Sequence, residues 1–327
     1  MTLSKMVLAR KLSLNRDVTA FAWSPDGRLL AVAEGLTTVI EVWNVESGQR
    51  VTKIEKQPAS TQRILFSPDG KHLIIPPLAP YNGVARTALV LADVHTGQVT
   101  HNIDGPNDPS HFALANQPAD FALSPDGKRL YVTFNTQDQT VHIYDTSTWT
   151  ISGSIPASGY VMAGGPGDDE LTTTEPDGTA RVWDARSGSL VQKFVMTKNC
   201  HAIALAPAAC LIASGAGFNG ETLNRATGVL ESNFDARPVR IWNIRSGKLL
   251  GEGSAVQLIR RLAFNPSATL LAAATGNNSI VLFNTNDLAA PRVLAHFQNN
   301  APDVAFSPDG KYFAAAGDAE ILLYKVP

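Results

Sequence analysis

One four-residue phrase recurs along this chain at a nearly fixed spacing. Ser-Pro-Asp-Gly stands at 24–27, 67–70, 124–127 and 307–310. Degenerate copies stand at Asn265-Pro266-Ser267 and Ala206-Pro207-Ala208, and a seventh at Gly165-Pro166-Gly167-Asp168. The landmark prolines fall at 25, 68, 125, 166, 207, 266 and 308, so the successive gaps are 43, 57, 41, 41, 59 and 42. A period near 42 with two long gaps constrains the fold more than any other feature. Each repeat is one supersecondary unit that cannot bury its apolar face alone, and the core forms where copies stack.

Every landmark sits in the same local context. An alternating apolar stretch precedes it, as in Thr19-Ala-Phe-Ala-Trp23, and an apolar run follows it, as in Arg28-Leu-Leu-Ala-Val32. A β-rich segment comes next: Ile40–Asn44, Leu89–Asp93, Val141–Asp145, Ala180–Asp184, Val239–Asn243, Ile280–Asn284 and Ile321–Tyr324. Most copies then carry a small polar turn with glycine, such as Ser47-Gly48 or Ser246-Gly247, and a last short strand. In the turns Pro fixes φ at the first corner, Asp bonds its own backbone and Gly takes the position with φ > 0. Helical periodicity is nearly absent. Four short antiparallel strands repeated seven times predict an all-β, seven-bladed β-propeller of four-stranded antiparallel blades.

The strand pieces Val-Trp-Asn (42–44), Val-Trp-Asp (182–184) and Ile-Trp-Asn (241–243) resemble WD40 repeats, and the resemblance covers nearly the whole chain. Leu130-Tyr-Val-Thr-Phe-Asn135 followed by Val141-His-Ile-Tyr-Asp145 is also similar to YVTN-type propeller repeats, and the clean Ser-Pro-Asp-Gly turns look like those of bacterial WD proteins. The Gly-His pair common in the family is missing from most copies. The family's side-chain network is therefore not expected in every blade. The chain ends on Ile321–Tyr324, the third strand of the last blade, so the N-terminal segment 6–14 is expected to supply the fourth. That closure, known in the family, removes an open edge and ties down both ends of a single domain spanning 1–327.

Aligned on the landmark Pro, the positions two and four before it are mostly large: Trp23 and Phe21, Phe66 and Ile64, Phe306 and Val304. The position three before is nearly always Ala, with Leu65 the large exception. Period two puts these sets on opposite faces of the first strand, so adjacent sheets are expected to interdigitate, large against small. The position five before reads Ala20, Arg63, Asp120, Val161, Ala202, Arg261 and Asp303. In a WD-type propeller this end of the strand lies at the mouth of the central channel. Arg63 and Asp120 belong to neighbouring blades, as do Arg261 and Asp303. They form either interblade ion pairs or a charged ring that receives a polar ligand or a partner's side chain.

Insertions are the other informative departures, because in repeat proteins they map to loops and often to the binding face. Three stand out: 76–88, 104–119 and 216–238. Propeller geometry sends all three to one face, called top. The third contains Asn224-Arg-Ala-Thr-Gly228, which copies a blade turn and is either an extra hairpin or the remnant of a half-repeat. Tyr81, Arg86, Phe112, Phe218, Arg225 and Arg237 are the candidate partner contacts on these loops, since aromatic and Arg side chains dominate interface energies. Some of these aromatics pin their own loops to the ring.

Composition narrows the function classes. Lys plus Arg number 27 and Asp plus Glu 29, a net charge of −2, which argues against a protein built to neutralise phosphates. Two cysteines exclude a disulfide framework and fit a reducing compartment or indifference to redox state. No signal peptide and no membrane span is read. There is no P-loop, HExxH, GxSxG or paired CxxC. Cys200-His201 is the one adjacent pair of soft ligands and lacks visible further ligands. His296 stands where the family's network His falls and is expected to make a structural hydrogen bond. No cofactor, metal or catalytic residue is assigned. The expected function is a monomeric, cytoplasmic, non-enzymatic scaffold that presents its top face and channel mouth to a protein or peptide, not to nucleic acid or membrane. One alternative is an enzyme or small-molecule binder using the polar channel mouth. Another follows from Trp183-Asp-Ala-Arg186 and Trp242-Asn-Ile-Arg245, which resemble the WDxR motif of ubiquitin-ligase substrate receptors.

Overall fold

A computed structural model describes residues 6–35, 39–55, 63–76, 87–106, 118–134, 140–157, 160–162, 167–175, 177–196, 200, 202–216, 218–224, 229–234, 238–254, 258–299 and 303–327. Within 160–162, 218–224 and 229–234 only the backbone is described. Seven four-stranded antiparallel sheets follow one another in a ring, and a separate two-stranded hairpin is added to the fifth. The protein is a seven-bladed β-propeller. Blade 1 runs Val18–Trp23, Leu29–Glu34, Ile40–Asn44 and Arg50–Ile54 from the channel outward. The same four-strand order repeats to blade 6. Blade 7 has only three strands of its own, Asp303–Phe306, Tyr312–Gly317 and Glu320–Lys325, and Val7–Ser13 pairs antiparallel with the last of them, from Val7 opposite Lys325 to Ser13 opposite Glu320. Arg10 stitches this closing strand to blade 1 by donating to the carbonyl of Glu46 at 2.8 Å.

Seven apolar clusters among the described residues each join two adjacent blades. Ala20, Ala31 and Ala33 of blade 1 pack against Ile64, Phe66 and Leu73 of blade 2. Phe21 and Trp23, on the other face of blade 1, pack against Ala314, Ala316 and Leu323 of blade 7 and so close the ring. Large-against-small packing is therefore realised as the alternation predicts. The large exception, Leu65, packs with Phe121 and Leu130 of blade 3, where other blades place Ala. Second strands are sandwiched on both faces; Leu270–Thr275 is buried at every position. Fully burying one such aliphatic side chain contributes about 1.5–3 kcal/mol.

The Ser-Pro-Asp-Gly turns are self-contained hydrogen-bond units. In the first, the Ser24 hydroxyl donates to Asp26 at 2.6 Å, and Asp26 and Ser24 accept the peptide N–H groups of Arg28 and Leu29. The hydrogen bond from Ser24 holds the Asp26 carboxyl below its usual range, against some desolvation. Gly127 takes φ +70°, and a Cβ there would stand 2.7 Å from the Pro68 ring, so turns of neighbouring blades also touch. The degenerate turn of blade 6 keeps the shape by substitution: Asn265 accepts the Leu270 N–H in place of serine, and Ala268 takes the left-handed position at φ 53°. Blade 5 turns instead through a 3₁₀ segment, Pro207–Ala209, with Cys210 left-handed one residue later at φ 55°.

A Trp-to-hydroxyl hydrogen bond links the third strand to the second in two of the blades. The indole N–H of Trp183 donates to Thr173 at 2.9 Å and that of Trp242 to Ser214 at 3.0 Å. In blade 1 the Trp43 N–H is buried without a partner. Trp43 pairs with Leu30, as Trp183 pairs with Leu171 and Trp242 with Ile212. Two residues further on stands Val32, at the place of Thr173 and Ser214, so the acceptor is simply not encoded. Val32→Thr, nearly isosteric at a fully buried position, is expected to stabilise the fold by about 0.5–1 kcal/mol in urea unfolding, and Val32→Ala to destabilise it.

Candidate functional site at the channel mouth

The first strands of six blades, with the second strand of blade 4, converge on a central cavity of about 700 Å³. Ala20, Arg63, Asp120, Ala202, Arg261 and Asp303 all line it, as their shared position on the first strand requires. Period-two alternation drives the larger side chains into the blade interfaces. The end position of the strand also borders the cavity, which is why charge is tolerated there in four of the blades.

The four charged groups form two pairs of unequal quality. Arg63 Nη1 donates to Asp120 Oδ1 at 2.5 Å, and the Asp120 side chain is only 11% exposed. Arg261 Nε stands 3.8 Å from Asp303 Oδ1, with the arginine half exposed. The first is a tight interblade hydrogen bond and the second a loose contact. Burial pushes the Asp303 carboxyl up to about 6 from its ordinary 3.8; Arg261, the Val304 peptide N–H and Arg63 pull it back only in part. Glu175 and Thr174 of blade 4 line the opposite wall, where Glu175 pairs with Arg181. The Thr174 hydroxyl is buried without a hydrogen-bond partner. Sequence reasoning missed both, because they lie on the end of a second strand and not on the aligned first strand.

Cys200 also lines the cavity, and burial pushes its thiol up to about 11, far from a thiolate at neutral pH. Its neighbour His201 lies outside the described residues. Among the described residues no three His, Cys, Asp or Glu side chains converge as metal ligands, and no helix is long and apolar enough to cross a membrane. His296 Nδ1 lies 3.1 Å from the Ser279 hydroxyl, the structural contact expected of it.

The blade-five insertion is a hairpin, Phe218–Asn224 paired with Val229–Phe234. It leaves the sheet after Gly215 and re-enters at Val239, and both pair in register with the end of the blade that carries Ala202. The hairpin therefore starts from the channel-mouth end. Phe218 lies in it by its backbone. Tyr81, Arg86, Phe112, Arg225 and Arg237 lie outside the described residues. The WDxR-like arginines are engaged elsewhere: Arg186 reaches Asp169 at 2.6 Å, and Arg245 reaches Glu170 at 2.7 Å from the next blade.

Ring, turns and tryptophan strands together define a seven-bladed β-propeller that is similar to WD-repeat propellers. Two family models match within it. The anaphase-promoting complex subunit 4 WD40 domain matches residues 4–66, and the WD domain, G-beta repeat, matches 292–325. The second match runs from the outer strand of blade 6 through three strands of blade 7, so the sequence repeat is offset from the structural blade. Among curated proteins, actin-interacting protein 1 of Drosophila melanogaster is 28% identical over 54% of this chain and 27% of its own length. Protein hir1 of Schizosaccharomyces pombe is 28% identical over 51% and 16%, and autophagy-related protein 16 of Arabidopsis thaliana 25% over 49% and 29%. The chain spans less than a third of each of these relatives.

The unequal pairs are expected to respond differently to truncation. Arg261→Ala should change stability by no more than about 0.5 kcal/mol, whereas Arg63→Ala, which strands a mostly buried carboxylate, should cost about 1–2 kcal/mol by urea unfolding. Asp303 binds its proton more tightly folded than unfolded, so its contribution to stability is greatest below pH 3.8 and declines as pH rises through about 6. Compared with Asp303→Asn across pH 4 to 7.5, wild type should lose roughly 2–3 kcal/mol of relative stability.

Proposed function

We propose that this chain is a non-enzymatic interaction module that presents its channel mouth and the adjoining insertions to a protein or peptide partner. The observation that carries this reading is the location of the departures from the repeat. The extra hairpin of blade 5 starts at the blade end that bears the channel-mouth position. The segment before Pro118–Leu123 likewise feeds directly into Asp120. A rigid ring presenting preorganised loops loses little entropy on binding. The relatives support it by their names where those name an interaction, as actin-interacting protein 1 does. The module is read as one domain, a cytoplasmic monomer, with Arg63, Asp120, Arg261, Asp303 and Phe218 as described contacts and Tyr81, Arg86, Phe112, Arg225 and Arg237 completing the surface.

One observation favours a second reading, a small polar ligand: the cavity of about 700 Å³ holds a carboxyl whose proton affinity burial has raised. Affinity capture separates the two. A protein retained by wild type and lost when 217–237 is replaced by a Gly-Ser turn supports the interaction module. Capture of no specific protein, together with a melting temperature raised by a small-molecule extract, supports the ligand reading instead.

A further inference from the structure

Within the interaction reading, the channel mouth also shows what kind of group it takes. Its described charged lining comprises three carboxylates, Asp120, Glu175 and Asp303, and two guanidiniums, Arg63 and Arg261. Asp120 is tightly paired with Arg63, and Glu175 with Arg181. Asp303, its side chain 20% exposed, accepts the Val304 N–H at 2.9 Å and otherwise has a contact of 3.8 Å to an arginine half in solvent. A partly desolvated, loosely paired carboxylate gains most from a new cation. Between these polar groups the wall is apolar, with Phe21, Leu65, Ile203 and Leu262 lining it. A flexible aliphatic stem with a charged tip matches that sequence of surfaces.

We propose that the channel mouth receives a lysine or arginine side chain of the protein partner, with its cationic tip on Asp303 and its stem against the apolar wall. This rests on the interaction reading and gives the chemistry of the group that enters. Arg261 then turns outward, which its half-exposed position permits. The groups facing Asp303 are Arg261 from the preceding blade, Arg63 across the mouth and the Val304 peptide N–H. Glu175 and Asp120 line the same cavity.

The test is calorimetric titration of the full chain with blocked tripeptides Gly-Arg-Gly, Gly-Lys-Gly, Gly-Gln-Gly and Gly-Glu-Gly at millimolar concentration, with agmatine as a free cation. Saturable binding of the Arg or Lys peptide and not of the Gln or Glu peptide is expected. Asp303→Asn should weaken it at least about tenfold, with Arg261→Ala no weaker than wild type. Wild type itself should bind about tenfold more weakly at pH 5 than at pH 7.5, a readout that needs no variant to fold. No saturation by either cationic peptide, preference for the Glu peptide, or affinity unchanged by both Asp303→Asn and acid would overturn the proposal. Agmatine binding as tightly as the Arg peptide would also overturn it, in favour of a free amine. If the cation fails to bind while hairpin-dependent capture persists, this inference falls and the interaction reading stands.

Discussion

The ring depends on contact between the large face of one blade and the small face of the next. A single four-stranded blade has two apolar faces and no way to cover either. Phe21 and Trp23 find cover on Ala314, Ala316 and Leu323 of the neighbouring blade, while Ala20 and Ala31 leave room for Ile64 and Phe66. Repeated seven times, this wedge-like contact turns the chain through a closed circle, and the last contact joins blade 7 to blade 1. Stability is then approximately a sum of neighbour interfaces, so each blade is held by the two beside it. The low charged fraction of 17% follows from the same geometry. Second strands such as Leu270–Thr275 are covered on both faces and have no place for charge.

Closure brings distant parts of the chain together. The strand Val7–Ser13 completes the blade formed by residues 303–325, so separating the two ends requires breaking a full antiparallel ladder. Outer strands carry what the ring leaves over. Exposed apolar side chains, such as Val51, Val99, Ile151 and Val293, lie on the fourth strands, where one face meets solvent. The turns between first and second strands need no tertiary partner, because the Ser hydroxyl, the Asp carboxylate and three peptide N–H groups satisfy one another. That independence is why the phrase Ser-Pro-Asp-Gly survives as a legible motif.

The candidate site was legible in part. Arg63, Asp120, Arg261 and Asp303 were visible because they break an aligned position that elsewhere reads Ala or Val. The alignment placed them at the channel, and the structure adds that one pair is tight and the other loose. Thr174 and Glu175 were not visible. They sit on blade 4, whose first strand is shortened to Tyr160–Met162 and whose turn is degenerate. Nothing in Thr172-Thr-Thr174 distinguishes a hydroxyl bonded to an indole from one left facing a cavity. Thr173 has Trp183, whereas Thr174 has no partner.

The sequence alone determined the repeat number, the four-strand blade, the turn chemistry and the N-terminal closure. The first three are local or periodic, written in residues a few positions apart, and the closure follows from the last repeat holding three strands and not four. Tertiary structure alone decided which charges meet. Arg63 and Asp120 are 57 residues apart and Arg261 and Asp303 are 42, and the distance between their atoms depends on how adjacent blades tilt against each other. That tilt is set by the summed packing of whole interfaces. A shift of about an ångström in packing separates a hydrogen-bonded pair from a carboxylate left with unfilled capacity.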